Sequence, residues 1–174
     1  LKGSWKHAPI YLGLYLFMVP FLYWASLQEG FQRNYPFWDG AADGGAPFWL
    51  YEFFYGLQFV GVEFFFRGWL TFALFKRFGW HALSIMAIPY VMIHFNKPVP
   101  ETLGAFIAGL VLGYLAIKSG SILWGIALHW GIAITMDVLA IAQTHGGGFW
   151  LVLRGLFTGV WPEAAMIDAG LPPP

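Results

Sequence analysis

The sequence predicts an all-α, polytopic membrane protein with five to six transmembrane helices. Of its 174 residues, 59% are hydrophobic and only 10% are charged, too few charges for the surface of a soluble domain of this size. The formal net charge is zero, so there is no excess of basic residues to predict a nucleic-acid partner. The chain has no cysteine, which excludes disulfides, thiolate metal sites and cysteine nucleophiles. The expected partner of the surface is therefore the lipid bilayer.

Successive apolar stretches predict where the chain crosses the membrane. The first, Ala8–Leu27, has no charged residue and is about as long as a helix must be to cross roughly 30 Å of hydrocarbon. Gly148–Trp161 is shorter and contains Arg154, so a crossing, a re-entrant segment and an interfacial helix all remain open for it. The other spans are expected at Pro47–Phe75, Phe78–Ile93, Thr102–Ile117 and Ser119–Met136.

We expect a single transmembrane domain over residues 1–174, because the sequence shows no internal repeat and no second domain. The end of the chain reads DAGLPPP, which cannot be helical, so 162–174 is expected to be a loose tail. Ala105, Gly109 and Gly113 form a ridge of small residues on one predicted helix. Such a ridge predicts close packing against a neighbouring helix, and a homo-oligomer contact is the alternative.

The distribution of lysine and arginine predicts a cytoplasmic N-terminus, since cytoplasmic loops are rich in these residues. With six crossings, the side of the N-terminus holds Lys2, Lys6, Lys76, Arg77 and Lys118. The opposite side holds only Arg33 and Lys97. If Gly148–Trp161 does not cross, the C-terminus moves outside and the N-terminus stays in place.

Few ionisable side chains fall inside the predicted spans, where each charge costs on the order of 2.5–3.5 kcal/mol at the bilayer centre. Glu52, Glu63 and Arg67 share one helix, and their spacings of eleven and four residues place them near one face. A structural ion pair between Glu63 and Arg67 is one interpretation. His94 follows the third span and His129 lies within the fifth. Each histidine alone is more often a packing residue than a catalyst.

Two histidines and a carboxylate in one apolar chain also suit catalysis. Glutamate and histidine can together take a proton from water, and a second histidine can donate a hydrogen bond to an oxyanion. Glu63, His94 and His129 could equally hold a divalent metal such as zinc with one open position. Arg67, Glu52 and Asp137 are the expected supporting residues. The residue pattern leaves both kinds of chemistry open.

Three motifs in order resemble the CPBP family, which comprises CAAX prenyl endopeptidases and bacteriocin-processing proteins and is also called the ABI family. The motifs are EFFFRG from Glu63, Tyr90 four residues before His94, and SGSILWGIALH ending at His129. The resemblance covers about residues 50–140. It implies an intramembrane endopeptidase that hydrolyses a peptide bond in a membrane-associated or prenylated protein. It also implies that Glu63, His94 and His129 belong to the active site, with Arg67 beside them.

The sequence departs from the family pattern at two positions. The family's first motif is Glu-Glu-x-x-x-Arg, and its first glutamate, implied to activate water, falls on Val62. Neighbouring helix positions point about 100° apart, so Glu63 can replace it only on a rotated or distorted helix. The asparagine of the third motif falls on Ala133, and Asp137 lies one turn further along.

Three functions follow from these observations. The prediction is an intramembrane endopeptidase in which Glu63 is recruited as the base, because both histidines are retained. The first alternative is a pseudoenzyme that keeps the fold and binds peptide or lipid partners, which Val62 and Ala133 favour. The second is a proton-coupled transporter subunit, against which the order of the motifs argues.

Overall fold

The computed structural model describes residues 4–145 and 149–161, and the regular secondary structure of these residues is helical. A π-helical segment, Phe64–Leu70, joins α3 to α4 without a break, and 3-10 turns cover Ser4–His7 and Asp39–Asp43. The all-α prediction is therefore confirmed for the described residues, and the predicted loose tail at 162–174 lies outside them. The helices are α1 (Ala8–Ser26), α2 (Glu29–Gln32), α3 (Gly45–Glu63), α4 (Thr71–Phe78), α5 (His81–Met92), α6 (Val99–Ser119), α7 (Leu123–His145) and α8 (Phe149–Thr158).

The chain is an all-helical membrane protein. Helix α5 is a shorter apolar helix, and the ten residues of α8 rise only about 15 Å, half of the hydrocarbon thickness. The helical segments that are long and apolar enough to cross a membrane lie where four of the predicted spans were expected. They are Trp5–Ser26, Gly45–Phe78, Val99–Ser119 and Leu123–His145.

Helix α6 shows how the sequence sets the ends of a span. A proline, Pro100, lies in its first turn beside Glu101, where backbone N–H groups lack helical partners and a negative charge is favourable. Lys118 lies in its last turn, where a positive charge faces unpaired carbonyl groups. Gly120 ends the helix in the left-handed region (φ 64°) and donates its N–H to the Ala116 carbonyl oxygen.

The chain divides into two compact units. Unit 1 comprises Gln58–His129 together with the chain up to Leu14, and unit 2 comprises Tyr15–Leu57 together with the chain from Trp130 onward. Glu63, Arg67, His94 and His129 all belong to unit 1.

Unit 1 is built on the packing of α5 against α6. Tyr90 of α5 lies so close to Gly109 of α6 that a Cβ at this glycine would be 3.0 Å from Cδ1 of the ring. A Cβ at Gly113 would lie 2.9 Å from the ends of Leu83 and Met86. The ridge of small residues therefore packs within the chain, as the sequence predicted. The buried residues of this core are Phe66, Met86, Tyr90 and Ala105, with Val62 and Leu70 packed against them.

Unit 2 joins part of α1 to the second half of α7. The Tyr15 hydroxyl is 2.7 Å from Thr135 Oγ1, and Gln143 Nε2 donates to Ser26 Oγ at 3.3 Å. One buried cluster here contains Leu22, Phe31, Tyr35, Met136 and Ala140. A second contains Ala41, Phe48, Ile141, Val152 and Leu156.

Candidate active site

A buried ion pair between Glu63 and Arg67 lies at the centre of the polar groups of unit 1. Arg67 Nη1 donates to Glu63 Oε1 at 2.9 Å, and the two side chains are 0% and 1% exposed, arginine first. Because they are four residues apart, one turn of helix brings them together. The pair places one positive and one negative charge side by side, which lowers the cost of burying either.

The helix is not regular at this pair. The π-helical segment begins directly after Glu63 and contains Arg67, and the Thr71 hydroxyl donates to the Phe66 carbonyl oxygen at 2.7 Å. π-helical turns are rare and are frequent at functional sites. From the sequence, Glu63 could replace the family's first glutamate only on a rotated or distorted helix. That the helix is distorted at this point was not predicted.

Tyr90 supports the guanidinium group of Arg67. The Arg67 Cζ atom lies 3.8 Å from the centroid of the Tyr90 ring, a cation–π contact. The Tyr90 side chain is itself buried against Phe66, with the ring centroids 5.2 Å apart. The aromatic residue four positions before His94 thus holds Arg67 in place, a role that the motif alone does not reveal.

His129 reaches the same carboxylate from α7. Its Nδ1 atom lies 3.1 Å from Glu63 Oε1. Since an ionised carboxylate only accepts hydrogen bonds, Nδ1 is the donor, and in the neutral imidazole Nε2 then keeps its lone pair. The His129 side chain is 19% exposed whereas that of Glu63 is 1% exposed. Within this pair, the histidine is the member with exposed surface.

His94 follows α5 and is held by two hydrogen bonds. Its Nδ1 atom donates to the Tyr90 carbonyl oxygen at 2.9 Å, and Thr102 Oγ1 donates to the His94 carbonyl oxygen at 2.7 Å. The His94 ring centroid lies 4.8 Å from that of Tyr90, which in turn lies 6.4 Å from that of His129. Burial lowers the pKa of His94 below its usual 6.5, against the opposing effect of the hydrogen bond to Tyr90. The imidazole is therefore neutral at pH 7.

The two remaining predicted residues, Glu52 and Asp137, form a separate cluster in unit 2. Glu52 is 1% exposed and Asp137 is 0% exposed. Asp137 neighbours Glu52 and Tyr51, and Trp130 also lies beside Glu52. These two carboxyl groups are neighbours of each other, and they are not among the groups that contact Glu63 within unit 1.

The side chains that the structure describes do not form a metal centre. Across residues 4–145 and 149–161, no group of three or more histidine, cysteine, aspartate or glutamate side chains is arranged to hold a metal ion. Oε1 of Glu63 already accepts hydrogen bonds from Arg67 and His129. The zinc site considered for Glu63, His94 and His129 is therefore not supported by their geometry.

One residue of this site was not predicted from the sequence. Gly125 is buried in α7, one turn before His129, and a Cβ built on it would lie 2.7 Å from Glu63 Oε2. The available signal was its spacing, since positions four apart share one face of a helix.

Comparison with known proteins identifies a family whose model covers the residues of this site. A family model described as "Type II CAAX prenyl endopeptidase Rce1-like" matches residues 44–135, more than half of the chain. The matched segment includes Glu63, Arg67, His94 and His129. Neither the curated proteins nor the solved structures gave a significant match. The chain therefore belongs to the Rce1-like family of type II CAAX prenyl endopeptidases.

Proposed function

We propose that the protein is an intramembrane endopeptidase that hydrolyses a peptide bond in a membrane-associated or prenylated protein. The observation that carries the proposal is the hydrogen bond between Glu63 and His129 inside an apolar, membrane-spanning chain. A carboxylate that fixes one nitrogen of an imidazole leaves the other nitrogen oriented as a base. Membership of the endopeptidase family supports the same reaction.

In the proposed reaction, His129 rather than Glu63 takes the proton. The Glu63 carboxylate is enclosed, with its Oε1 atom occupied by Arg67 and His129, whereas His129 is partly exposed. A water molecule gives a proton to His129 Nε2 while its oxygen attacks the carbonyl carbon of the substrate. The carbon–nitrogen bond then breaks, and the proton passes from His129 to the leaving amine. Glu63 stabilises the imidazolium that forms in between.

Two further side chains assist this step. With His94 Nδ1 donating to the Tyr90 carbonyl oxygen, its Nε2 atom accepts a hydrogen bond from water. In this proposal His94 therefore orients the water. Arg67 holds the Glu63 carboxylate through a hydrogen bond, and Tyr90 keeps Arg67 in place. No step of this reaction uses a metal.

A second candidate function is binding of peptide or lipid partners without cleavage. Val62 occupies the position of the glutamate that the family resemblance assigns to water activation, and it packs against the apolar core of Phe66, Met86 and Tyr90. A residue in such surroundings supplies no proton chemistry. Under this alternative, Val62→Glu together with Ala133→Asn would create activity by restoring the family pattern.

The purified protein in lipid, incubated with prenylated and unprenylated membrane peptides, tests the two functions. The proposal predicts cleavage by the natural sequence, and His129→Asn, His94→Ala and Glu63→Gln should each lower the rate by about 10²–10⁴-fold, the usual contribution of general acid–base groups. Glu29→Gln and His81→Ala change exposed residues and serve as matched controls that should keep the natural rate. Binding without cleavage supports the second function. Cleavage that survives all three site substitutions contradicts the residue assignment.

We further propose that the N-terminus is cytoplasmic, which the excess of basic residues on that side supports. The chain lacks cysteine, so single introduced cysteines report their own side of the membrane. Asp39 and Lys76 are both exposed and lie on opposite sides in this topology. A membrane-impermeant maleimide should label Asp39→Cys in intact cells and Lys76→Cys only after permeabilisation. The reverse pattern contradicts the orientation.

A further inference from the structure

Gly125 of α7 lies against the Glu63 carboxylate, and this contact points to a role for a residue that has no side chain. Gly125 is buried, and a Cβ at this position would lie 2.7 Å from Glu63 Oε2 and 3.4 Å from Cδ. Real Cβ atoms essentially never approach an oxygen as closely as 2.7 Å. Any residue other than glycine at position 125 would therefore force the carboxylate and α7 apart.

The carboxylate has little freedom to move without losing its partners. Oε1 accepts hydrogen bonds from Arg67 at 2.9 Å and from His129 at 3.1 Å, while Oε2 faces Gly125. Its residue is 0% exposed, so no solvent-filled space is available on the other sides. Gly125 and His129 are one turn apart on α7. The backbone at Gly125 and the imidazole of His129 therefore face the same carboxylate.

We propose that Gly125 is a positioning residue, whose missing side chain lets the Glu63 carboxylate come close enough to α7 to bind His129. Substitution by alanine displaces Oε2, and the displacement is transmitted to the hydrogen bond at Oε1. The consequence for catalysis rests on the proposed function, whereas the consequence for the Glu63–His129 bond does not.

The test compares Gly125→Ala, Glu63→Asp and the double variant, with Gly104→Ala as the control. A Cβ at Gly104 meets no atom within 4 Å, so this control adds the same methyl group to a helix of the same unit without a contact. Peptide cleavage gives the rate. The imidazole nitrogen signals of ¹⁵N-histidine-labelled protein, assigned through His129→Gln, report the hydrogen bond of His129 directly.

We expect Gly125→Ala to lower the cleavage rate by about 10²-fold, as a displacement near 1 Å can do, and to shift the His129 nitrogen signals. Gly104→Ala should change neither. Aspartate ends about 1.5 Å earlier than glutamate, one carbon–carbon bond, and so relieves the contact with the methyl group added by Gly125→Ala. Glu63→Asp should therefore lower the rate of the natural protein, whereas in the Gly125→Ala variant it should lower the rate no further or raise it. Such non-additivity marks two residues in direct contact.

Unchanged rate and unchanged His129 signals in Gly125→Ala, or strictly additive effects of the two substitutions, would overturn the proposal. If Gly125→Ala alone fails to fold, recovery of the folded protein on adding Glu63→Asp supports the same contact, and failure of the double variant rejects it. If the natural sequence does not cleave peptides, the proposed function fails. The His129 signals and the thermal stabilities of the natural protein and the four variants still decide the role of Gly125.

Discussion

Glu63 and His129, 66 positions apart in the sequence, are joined by a hydrogen bond of 3.1 Å between Oε1 and Nδ1. The same carboxylate oxygen accepts a hydrogen bond from Arg67. One oxygen therefore connects the ion pair of the distorted helix to the imidazole of α7. The stability of the buried charges and the orientation of the proposed base depend on the same atom.

Replacing Arg67 by leucine should strongly destabilise the protein. The Glu63 carboxylate would stay buried without its cationic partner, and breaking a buried pair in this way costs about 3–5 kcal/mol. Chemical denaturation in detergent measures the change. Arg33→Leu is the control, because Arg33 and Glu29 form an exposed pair (79% and 85% of the side-chain surface) that should contribute little. Equal stabilities of the two variants would mean that Glu63 is not held by Arg67.

Replacing Thr71 by valine should destabilise the π-helical segment. The substitution keeps the shape of the side chain but leaves the buried Phe66 carbonyl oxygen without the hydroxyl donor at 2.7 Å. The same oxygen still accepts the backbone N–H of residue 71, so the expected loss is about 0.5–1.5 kcal/mol, the net contribution of one hydrogen bond. Thr71→Ser keeps the hydroxyl and should lose clearly less. If both variants melt at the same temperature, the hydroxyl does not stabilise the distortion.

Replacing Gly109 by alanine should destabilise the contact between α5 and α6. The new Cβ would lie 3.0 Å from Cδ1 of Tyr90, and this ring is held between Arg67 and Phe66 and cannot turn away. Overpacking of this kind costs typically about 1–3 kcal/mol.

Two glycines provide the comparison for Gly109. At Gly113 the nearest atoms are the ends of the flexible Leu83 and Met86 side chains, so Gly113→Ala should cost less. Gly104→Ala meets no atom within 4 Å and should be neutral or slightly stabilising, because alanine favours helix over glycine. Thermal denaturation of the three variants should give this order, and a different order contradicts the packing explanation.

The burial of His94 predicts a dependence of stability on pH. Burial lowers its pKa in the folded protein below the usual 6.5, so the unfolded chain binds more protons in the interval between the two values. The contribution to stability is therefore fully present above pH 6.5 and is lost as the pH falls towards the lower, folded pKa. His94→Gln keeps a polar side chain that does not titrate. The natural protein should lose more stability than this variant between neutral and mildly acidic pH, and parallel curves would contradict the prediction.

Much of the fold was determined by the sequence because a membrane imposes a local requirement. An apolar stretch of about 20 residues must form a helix there, since no water is present to bind the backbone. The first span was predicted at Ala8–Leu27 and α1 covers Ala8–Ser26. The ion pair between Glu63 and Arg67 is local in the same sense, because a spacing of four residues is one turn.

The helix ends were less predictable where polar groups find partners inside the protein. The fifth span was predicted at Ser119–Met136, whereas α7 covers Leu123–His145. It begins later because Ser121 Oγ accepts the Leu123 N–H in the turn after α6. It ends later than predicted because the polar Gln143, which lowers the hydropathy of this stretch, donates a hydrogen bond to Ser26 within the protein.

Only the tertiary structure decided which groups meet. Composition and spacing selected Glu63, His94 and His129, but the partner of each nitrogen and oxygen depends on how α3, α5 and α7 pack. Packing likewise brought Glu52 and Asp137 together and made Tyr90 the support of Arg67. Periodicity along one helix fixes the face on which a residue lies. The distance between faces depends on small residues such as Gly109 and Gly125, whose effect appears only when two helices are in contact.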